Sequence, residues 1–283
     1  MPAKESQKEN SMQNPYEQPI NSNKPGFFVI LIDQSLSMSE EFGDTKKHIF
    51  AADAINRVIY EIRSASIEGD EIKDRCFVAV IGYGIETKAI IANKTSELKK
   101  LILNIEQREQ IQLDGSKINI KMPVWIKPKA DNGTPMDIAF DQAFNLASGF
   151  CKSNQDSFPP IVINITDGKP NDLQKGGKGE KTRDAARRLL TLKTQHGQLL
   201  LFNAHIGNFE MGSVLLPSDI KQLKDPFAQY LFDLTSPIPK PMLSLAEAVG
   251  FDPKPGARGM VFNADADGFV RLLNFGGSKT MYD

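Results

Sequence analysis

Between Phe27 and Ser39 the chain reads FFVILIDQSLSMS, six apolar residues running straight into an aspartate, with serines following at alternate positions. A short continuous apolar run suits a central strand covered on both faces, as in a parallel sheet. Where such a strand ends, the chain emerges at the carboxyl edge of the sheet, the edge at which open α/β sheets bind ligands. Asp33, Ser35 and Ser37 therefore place one carboxylate and two hydroxyls on a single loop. Hard oxygen donors of this kind suit Mg²⁺, Mn²⁺ or Ca²⁺. The same residues also break a strand and cap a following helix, so the motif alone leaves both roles open.

The rest of the chain alternates in a way that fits this strand. Residues 1–24 are polar and predict a disordered tail. A helix is expected from Asp44 or Thr45 to about Ser64, with Ala51, Ala52, Ile55, Val58, Ile59 and Ile62 on its apolar face and Lys47, Asp53, Arg57 and Glu61 facing elsewhere. Arg75–Gly82 reads as a second buried strand and Lys88–Ala92 as an edge strand. Ser96–Ile105 looks helical, and Lys117–Lys129 reads as a partly exposed ribbon or edge strand interrupted by Pro123.

In Asp131-Asn-Gly-Thr-Pro-Met-Asp137, Thr134 is a candidate N-cap and Pro135 a good first residue for a helix reaching about Phe150. Ile161–Ile165 is an apolar strand leading into Thr166-Asp167-Gly168. A charged helix from about Glu180 to His196 would stop at Gly197. Strands at Leu199–Ile206 and Gly259–Asn263 follow, with a short helix after Asp267. The alternation predicts an α/β fold, a doubly wound and mostly parallel sheet with helices on both faces and one antiparallel edge strand. No internal linker divides residues 25–278, so a single domain is expected there, with insertions near 106–130 and 209–251.

Composition narrows the function. With 34 basic and 35 acidic residues the formal net charge is -1, so no global field recruits nucleic acid or an anionic membrane. Cys76 and Cys151 lie far apart without metal-type spacing and read as packed thiols of a reducing compartment. No stretch approaches the roughly 18 apolar residues of a membrane span. A soluble cytoplasmic protein is expected.

Asp33, Ser35 and Ser37, then Thr134, then Asp167 each stand where a loop meets a core element, and each offers a short oxygen donor. If the first and fourth core strands are neighbours where the strand order reverses, the first and last of these loops open into one crevice. The sequence here resembles the von Willebrand factor A domains. The resemblance is carried by Asp33-Gln-Ser35-Leu-Ser37, by Thr134 in Gly-Thr-Pro and by Asp167 in Thr-Asp-Gly, and it implies a metal-ion-dependent adhesion site on those five residues. The cation implied is Mg²⁺, with Mn²⁺ or Ca²⁺ possible, and the partner implied is a protein that supplies a Glu or Asp to the metal. Gly-Thr-Pro-Met and Ile-Thr-Asp-Gly-Lys-Pro-Asn-Asp are similar to the bacterial branch found in tellurite-resistance-type operons. That likeness implies a signalling or stress-response complex and a protein kinase or metal-dependent phosphatase encoded nearby.

Other motifs compete less well. A haloacid-dehalogenase-type phosphotransferase also ends its first strand in Asp, but needs a second acid two residues on, where this chain has Ser35. No phosphate-binding Gly-x-x-x-x-Gly-Lys-Ser/Thr is present. A scaffold with a purely structural metal site is the remaining non-catalytic alternative. Asn263-Ala-Asp265-Ala-Asp267-Gly268 mimics the start of a calcium loop but has Asn274 where a bidentate Glu is required, so it reads as a turn. His205 reads as a hydrogen-bonded core residue. Trp125 suits either a partner anchor or packing against the body, and Lys169 and Asp172 a solvated rim.

Overall fold

The computed structural model describes residues 14–111, 117–207 and 212–276. Its centre is a seven-stranded sheet built from β1 (Gly26–Asp33), β2 (Cys76–Tyr83), β3 (Thr87–Lys94), β4 (Ile161–Thr166), β5 (Leu200–Ile206), β6 (Val214–Leu215) and β7 (Met260–Ala264). In space the order is β3-β2-β1-β4-β5-β7-β6. The pairs β1/β2, β1/β4, β4/β5 and β5/β7 are parallel. At the edges, β2/β3 and β6/β7 are antiparallel. One antiparallel edge was expected. The second, β6, lies in the 209–251 stretch.

Among the described residues the α-helices are α1 (Lys47–Ala65), α2 (Met136–Ser153), α3 (Glu180–Leu190), α4 (Pro226–Leu234), α5 (Leu243–Ala248) and α6 (Ala266–Gly276). Successive side chains of a strand point to opposite faces, and β1 shows the consequence. Phe28, Ile30 and Ile32 pack with the residues of α1, α5 and α6, whereas Phe27, Val29 and Leu31 pack with those of α2, α3 and α4. The sheet is thus covered on both faces, which is why its central strands are continuous apolar runs.

Several expectations are corrected. The charged helix ends at Leu190, not His196, because the chain turns into a short ladder pairing Lys193 with Gln198 and Thr194 with Gly197. Ser96–Ile105 is not a helix. A 3-10 turn spans Glu97–Leu101, and Asn104–Ile111 then pairs antiparallel with Lys117–Val124. The ribbon expected at Lys117 is the second half of this hairpin. Trp125 is 1 % exposed and donates its indole N–H to Leu98 O at 2.8 Å, so it packs against the body and is no partner anchor. Buried Asn56 of α1 accepts the backbone N–H of both Trp125 and Ile126.

Residues 14–24, placed in the polar tail, also pack. Ile20 is fully buried, Tyr16 N–H donates to His196 O at 2.8 Å, and Lys24 pairs with Asp156 at 2.8 Å. Residues 1–13 lie outside the described residues. The 209–251 stretch contributes Phe227, Ala228 and Leu231 to the core and is woven into it. Among the described residues no helix is long and apolar enough to cross a membrane.

Candidate metal centre

β1 sits where the strand order reverses, with β2 on one side and β4 on the other. Its last residue, Asp33, is in register with Tyr83, and Ile32 with Ile165. The loops after β1 and β4 therefore leave the sheet side by side. Gly82 and Gly84 make room for the first of them and for the loop that carries Asp131. A Cβ at Gly82 would stand 2.6 Å from Gln34 Oε1, and one at Gly84 would collide with Asp131 Oδ1. Asp131 in turn accepts the Ile85 N–H at 3.0 Å and donates its own N–H to Gln34 O at 2.6 Å, tying its loop to those after β1 and β2.

Four of the five expected donors form one cluster. Ser35 Oγ lies 3.0 Å from Ser37 Oγ, and Ser37 donates to Asp167 Oδ1 at 2.7 Å. Ser35 Oγ is 3.5 Å from the same carboxylate oxygen. Asp33 is fully buried just behind them; its Oδ1 accepts the Ser35 N–H and its Oδ2 the Thr166 hydroxyl, each at 2.8 Å.

Thr134 stands on the loop before α2, 4 % exposed. Asn171 Oδ1 accepts its N–H at 2.8 Å, and its carbonyl accepts the N–H of Asn171 at 3.0 Å. Its expected capping role is not realised: α2 begins at Met136, Pro135 is the cap residue, and no side chain caps the helix. Among the described residues the Thr134 hydroxyl has no hydrogen bond.

The electrostatics are those of a site short of positive charge. Burial pushes the Asp33 carboxyl up to about 7, and the charge of Asp167 adds to the rise, while the Ser35 and Thr166 donors oppose it. Burial, with the Asp33 charge, also drives the Tyr83 phenol well above its ordinary value. Tyr83 instead donates to Asn164 Oδ1 at 2.9 Å, and Asn164 donates to Asn203 Oδ1 at 2.9 Å. Beside Asp167, His205 is buried and stacked on Phe262 at 4.2 Å; burial pushes it down to about 4, so it is neutral.

A divalent cation fits this donor set. Mg²⁺–oxygen bonds of 2.0–2.1 Å put neighbouring ligands of an octahedron about 3.0 Å apart, and the Ser35, Ser37 and Asp167 oxygens are spaced 2.7–3.5 Å apart. Among the described residues no group of three or more His, Cys, Asp or Glu is placed to hold a metal. The expected donors are two carboxylates and three hydroxyls, a set for a hard ion.

Reading residue types at loop positions did not single out two contributors. Thr166 holds Asp33 in place. Lys47, expected to face away from the body, is buried; its Nζ lies 3.0 Å from Asp167 Oδ2 and 2.6 Å from Glu40 Oε2. A lysine opening the helix that follows Asp33-x-Ser-x-Ser was the available signal for it. On the rim, Asp172 caps the start of α3, accepting from Thr182 N at 3.0 Å and Thr182 Oγ1 at 2.6 Å. The calcium-loop mimic is a turn, in which Asp265 Oδ1 accepts the Gly268 N–H at 2.8 Å.

No family model and no curated protein matches the chain. Solved structures do. The pilus adhesin SpaC from Lactobacillus rhamnosus GG is 14 % identical, with a TM-score of 0.54 over 93 % of this chain and 31 % of SpaC. The chain thus spans about a third of that adhesin's length. BatB from Bacteroides thetaiotaomicron is 16 % identical over 68 % of this chain and 71 % of BatB, with a TM-score of 0.39. VWA2, an ArnB paralog from Sulfolobus acidocaldarius, is 16 % identical over 65 % of this chain and 36 % of its own, with a TM-score of 0.35. At 14 % identity the likeness to SpaC is one of architecture, and the mostly parallel sheet with antiparallel edges and helices on both faces is the architecture expected from the resemblance to the von Willebrand factor A domains.

Proposed function

We propose that the protein is a metal-dependent protein-binding module and not an enzyme. In this reading Asp33, Ser35, Ser37, Thr134 and Asp167 hold one divalent cation, and an acidic residue of a partner protein completes its coordination. The observation that carries the reading is the convergence of Ser35 Oγ, Ser37 Oγ and Asp167 Oδ1 from two loops 130 residues apart in sequence. The unbonded Thr134 hydroxyl on a third loop adds to it. Mg²⁺ is the preferred ion because every donor is a hard oxygen; Mn²⁺ and Ca²⁺ share that preference. The bacterial-branch resemblance adds a cytoplasmic signalling or stress-response complex as the setting, with a protein kinase or metal-dependent phosphatase as the candidate partner.

Isothermal calorimetry of the chelated protein with Mg²⁺ and Mn²⁺ tests the site. Wild type should take up one ion and Asp33→Ala none; equal uptake by both would remove the assignment. Phosphotransfer through Asp33 is the second reading. Against it, Asp33 is fully buried with both oxygens hydrogen-bonded, and Ser35 stands where a second acid is required. Turnover of a phosphomonoester that disappears in Asp33→Asn would revive it.

A further inference from the structure

Lys47 is the unusual group at this edge. An ammonium is rarely buried unless paired, and its side chain is only 11 % exposed. It is paired twice, with unequal partners. The Glu40 side chain is 65 % exposed, so water screens it, whereas the Asp167 side chain is fully buried. Its ammonium lies 2.6 Å from Glu40 Oε2 and 3.0 Å from Asp167 Oδ2, so each of its carboxylate partners is within ion-pair distance. The two oxygens of Asp167 are thereby divided. Oδ2 faces the ammonium, and Oδ1 faces the two serine hydroxyls.

We propose that Lys47 is a counter-charge built into the site, which holds Asp167 ready when no ion is bound, weakens the grip on a divalent cation, and supplies part of the positive charge that an acidic partner meets. This rests on the metal-binding reading above. The charge count gives the direction. Two ionised carboxylates neutralise a divalent ion, so a carboxylate arriving from a partner would meet a site of no net charge. Lys47 makes that inner site positive by one, a charge that the water-screened Glu40 carboxylate outside it offsets only in part. The same positive charge, close to where a cation must bind, opposes the cation.

A lysine that merely props Asp167 and one that tunes the charge differ in sign. Removing a prop should loosen metal binding. Removing a counter-charge should tighten it, while weakening carboxylate binding. The test uses Lys47→Met, which keeps the apolar stem. Calorimetry with Mg²⁺ or Mn²⁺ should show affinity rising on the order of tenfold. The thermal midpoint of the chelated variant should fall, and metal should raise it by more than in wild type, since tighter binding gives larger stabilisation. Titration of the Mn²⁺-loaded proteins with N-acetyl-glutamate amide should show carboxylate affinity falling on the order of tenfold.

Glu40→Gln guards against a misfolded Lys47→Met. It leaves the lysine paired to Asp167 alone, so it should shift both affinities the opposite way, weakening metal and strengthening the carboxylate. Lys47→Arg should behave as wild type. If wild type takes up no ion, the metal-binding reading falls and this inference with it. If wild type takes up the ion but Lys47→Met binds it equally or more weakly, the counter-charge alone is overturned. The same holds if Glu40→Gln leaves both affinities unchanged.

Discussion

The two ends of β1 are equally buried and held in opposite ways. At its amino end Phe27 lies among aromatic rings, 5.1 Å from Phe150 and 6.3 Å from Phe77 between centroids, and Gly26 lets Ile20 close over the strand. At its carboxyl end Asp33 meets hydroxyls, another carboxylate and a phenol. Burial of apolar area stabilises the first end directly. At the second, desolvating charge costs free energy, which the hydrogen bonds from Ser35 and Thr166 offset only in part. One strand therefore anchors the fold at one end and holds a strained charge distribution at the other. A binding site can occupy the second end because the first carries the stability.

The sharpest way to break that contrast is to truncate each end. Phe27→Ala should lose about 3–5 kcal/mol, the usual range for deleting a buried aromatic, and its folded fraction should still take up metal. Asp33→Asn should be at least as stable as wild type in chelator, because it removes a desolvated charge beside Asp167, and it should take up no metal. Denaturant unfolding of both variants in chelator measures the difference. A loss in Asp33→Asn equal to that in Phe27→Ala would mean that the carboxyl end stabilises the fold as much as the amino end does.

A smaller effect separates the ends by pH. Asp33 titrates at about 7 in the fold against an ordinary 3.8, so the folded state binds the extra proton between those values. The stability it contributes is complete below about pH 4 and is lost as pH rises through about 7. His205, lowered to about 4 from an ordinary 6.5, has the opposite sign. Its contribution is present above about 6.5 and is lost as pH falls through about 4. The observable is therefore the difference between wild type and Asp33→Asn in chelator, measured from pH 4 to 8. That difference should move against wild type with rising pH and level off above 7. A flat difference would show that Asp33 is ionised throughout.

How much of this was legible in the sequence follows the same division. Strands and their carboxyl-edge donors were legible because apolar runs ending in Asp or Ser are local patterns. The placement of Asp33, Ser35, Ser37 and Asp167 follows from them once β1 and β4 are neighbours. Lys47 was hidden because a helix period assigns a lysine to the solvent face; only the tertiary approach of Asp167 buries it. Asn164 and Asn203 were hidden for a similar reason. Inside apolar strands they read as interruptions, yet they link Tyr83, Asn164, Asn203 and Thr235 in a buried chain of hydrogen bonds beneath the site. The hairpin beginning at Asn104 was lost because 104–111 alternates weakly, and its pairing partner, not its own pattern, makes it a strand.

The smallest expected effect on stability concerns Thr134. As a helix cap, its replacement by Ala would cost on the order of 1 kcal/mol. The structure gives it no such role: α2 has no side-chain cap, and the loop is held through backbone atoms of Thr134 bonded to Asn171. Thr134→Ala should therefore cost the chelated protein less than the roughly 1 kcal/mol of a lost cap. Its metal affinity should nevertheless fall, because one of five oxygen donors is gone. Asn171→Ala should do the reverse first, loosening the loop that presents Thr134 and so costing stability in chelator, with metal affinity falling as a consequence. Unfolding curves in chelator and in saturating Mg²⁺ for both variants give the four numbers needed. Should Thr134→Ala lose stability in chelator and keep its metal affinity, its hydroxyl would be structural, and the candidate centre would shrink to the four donors already seen together.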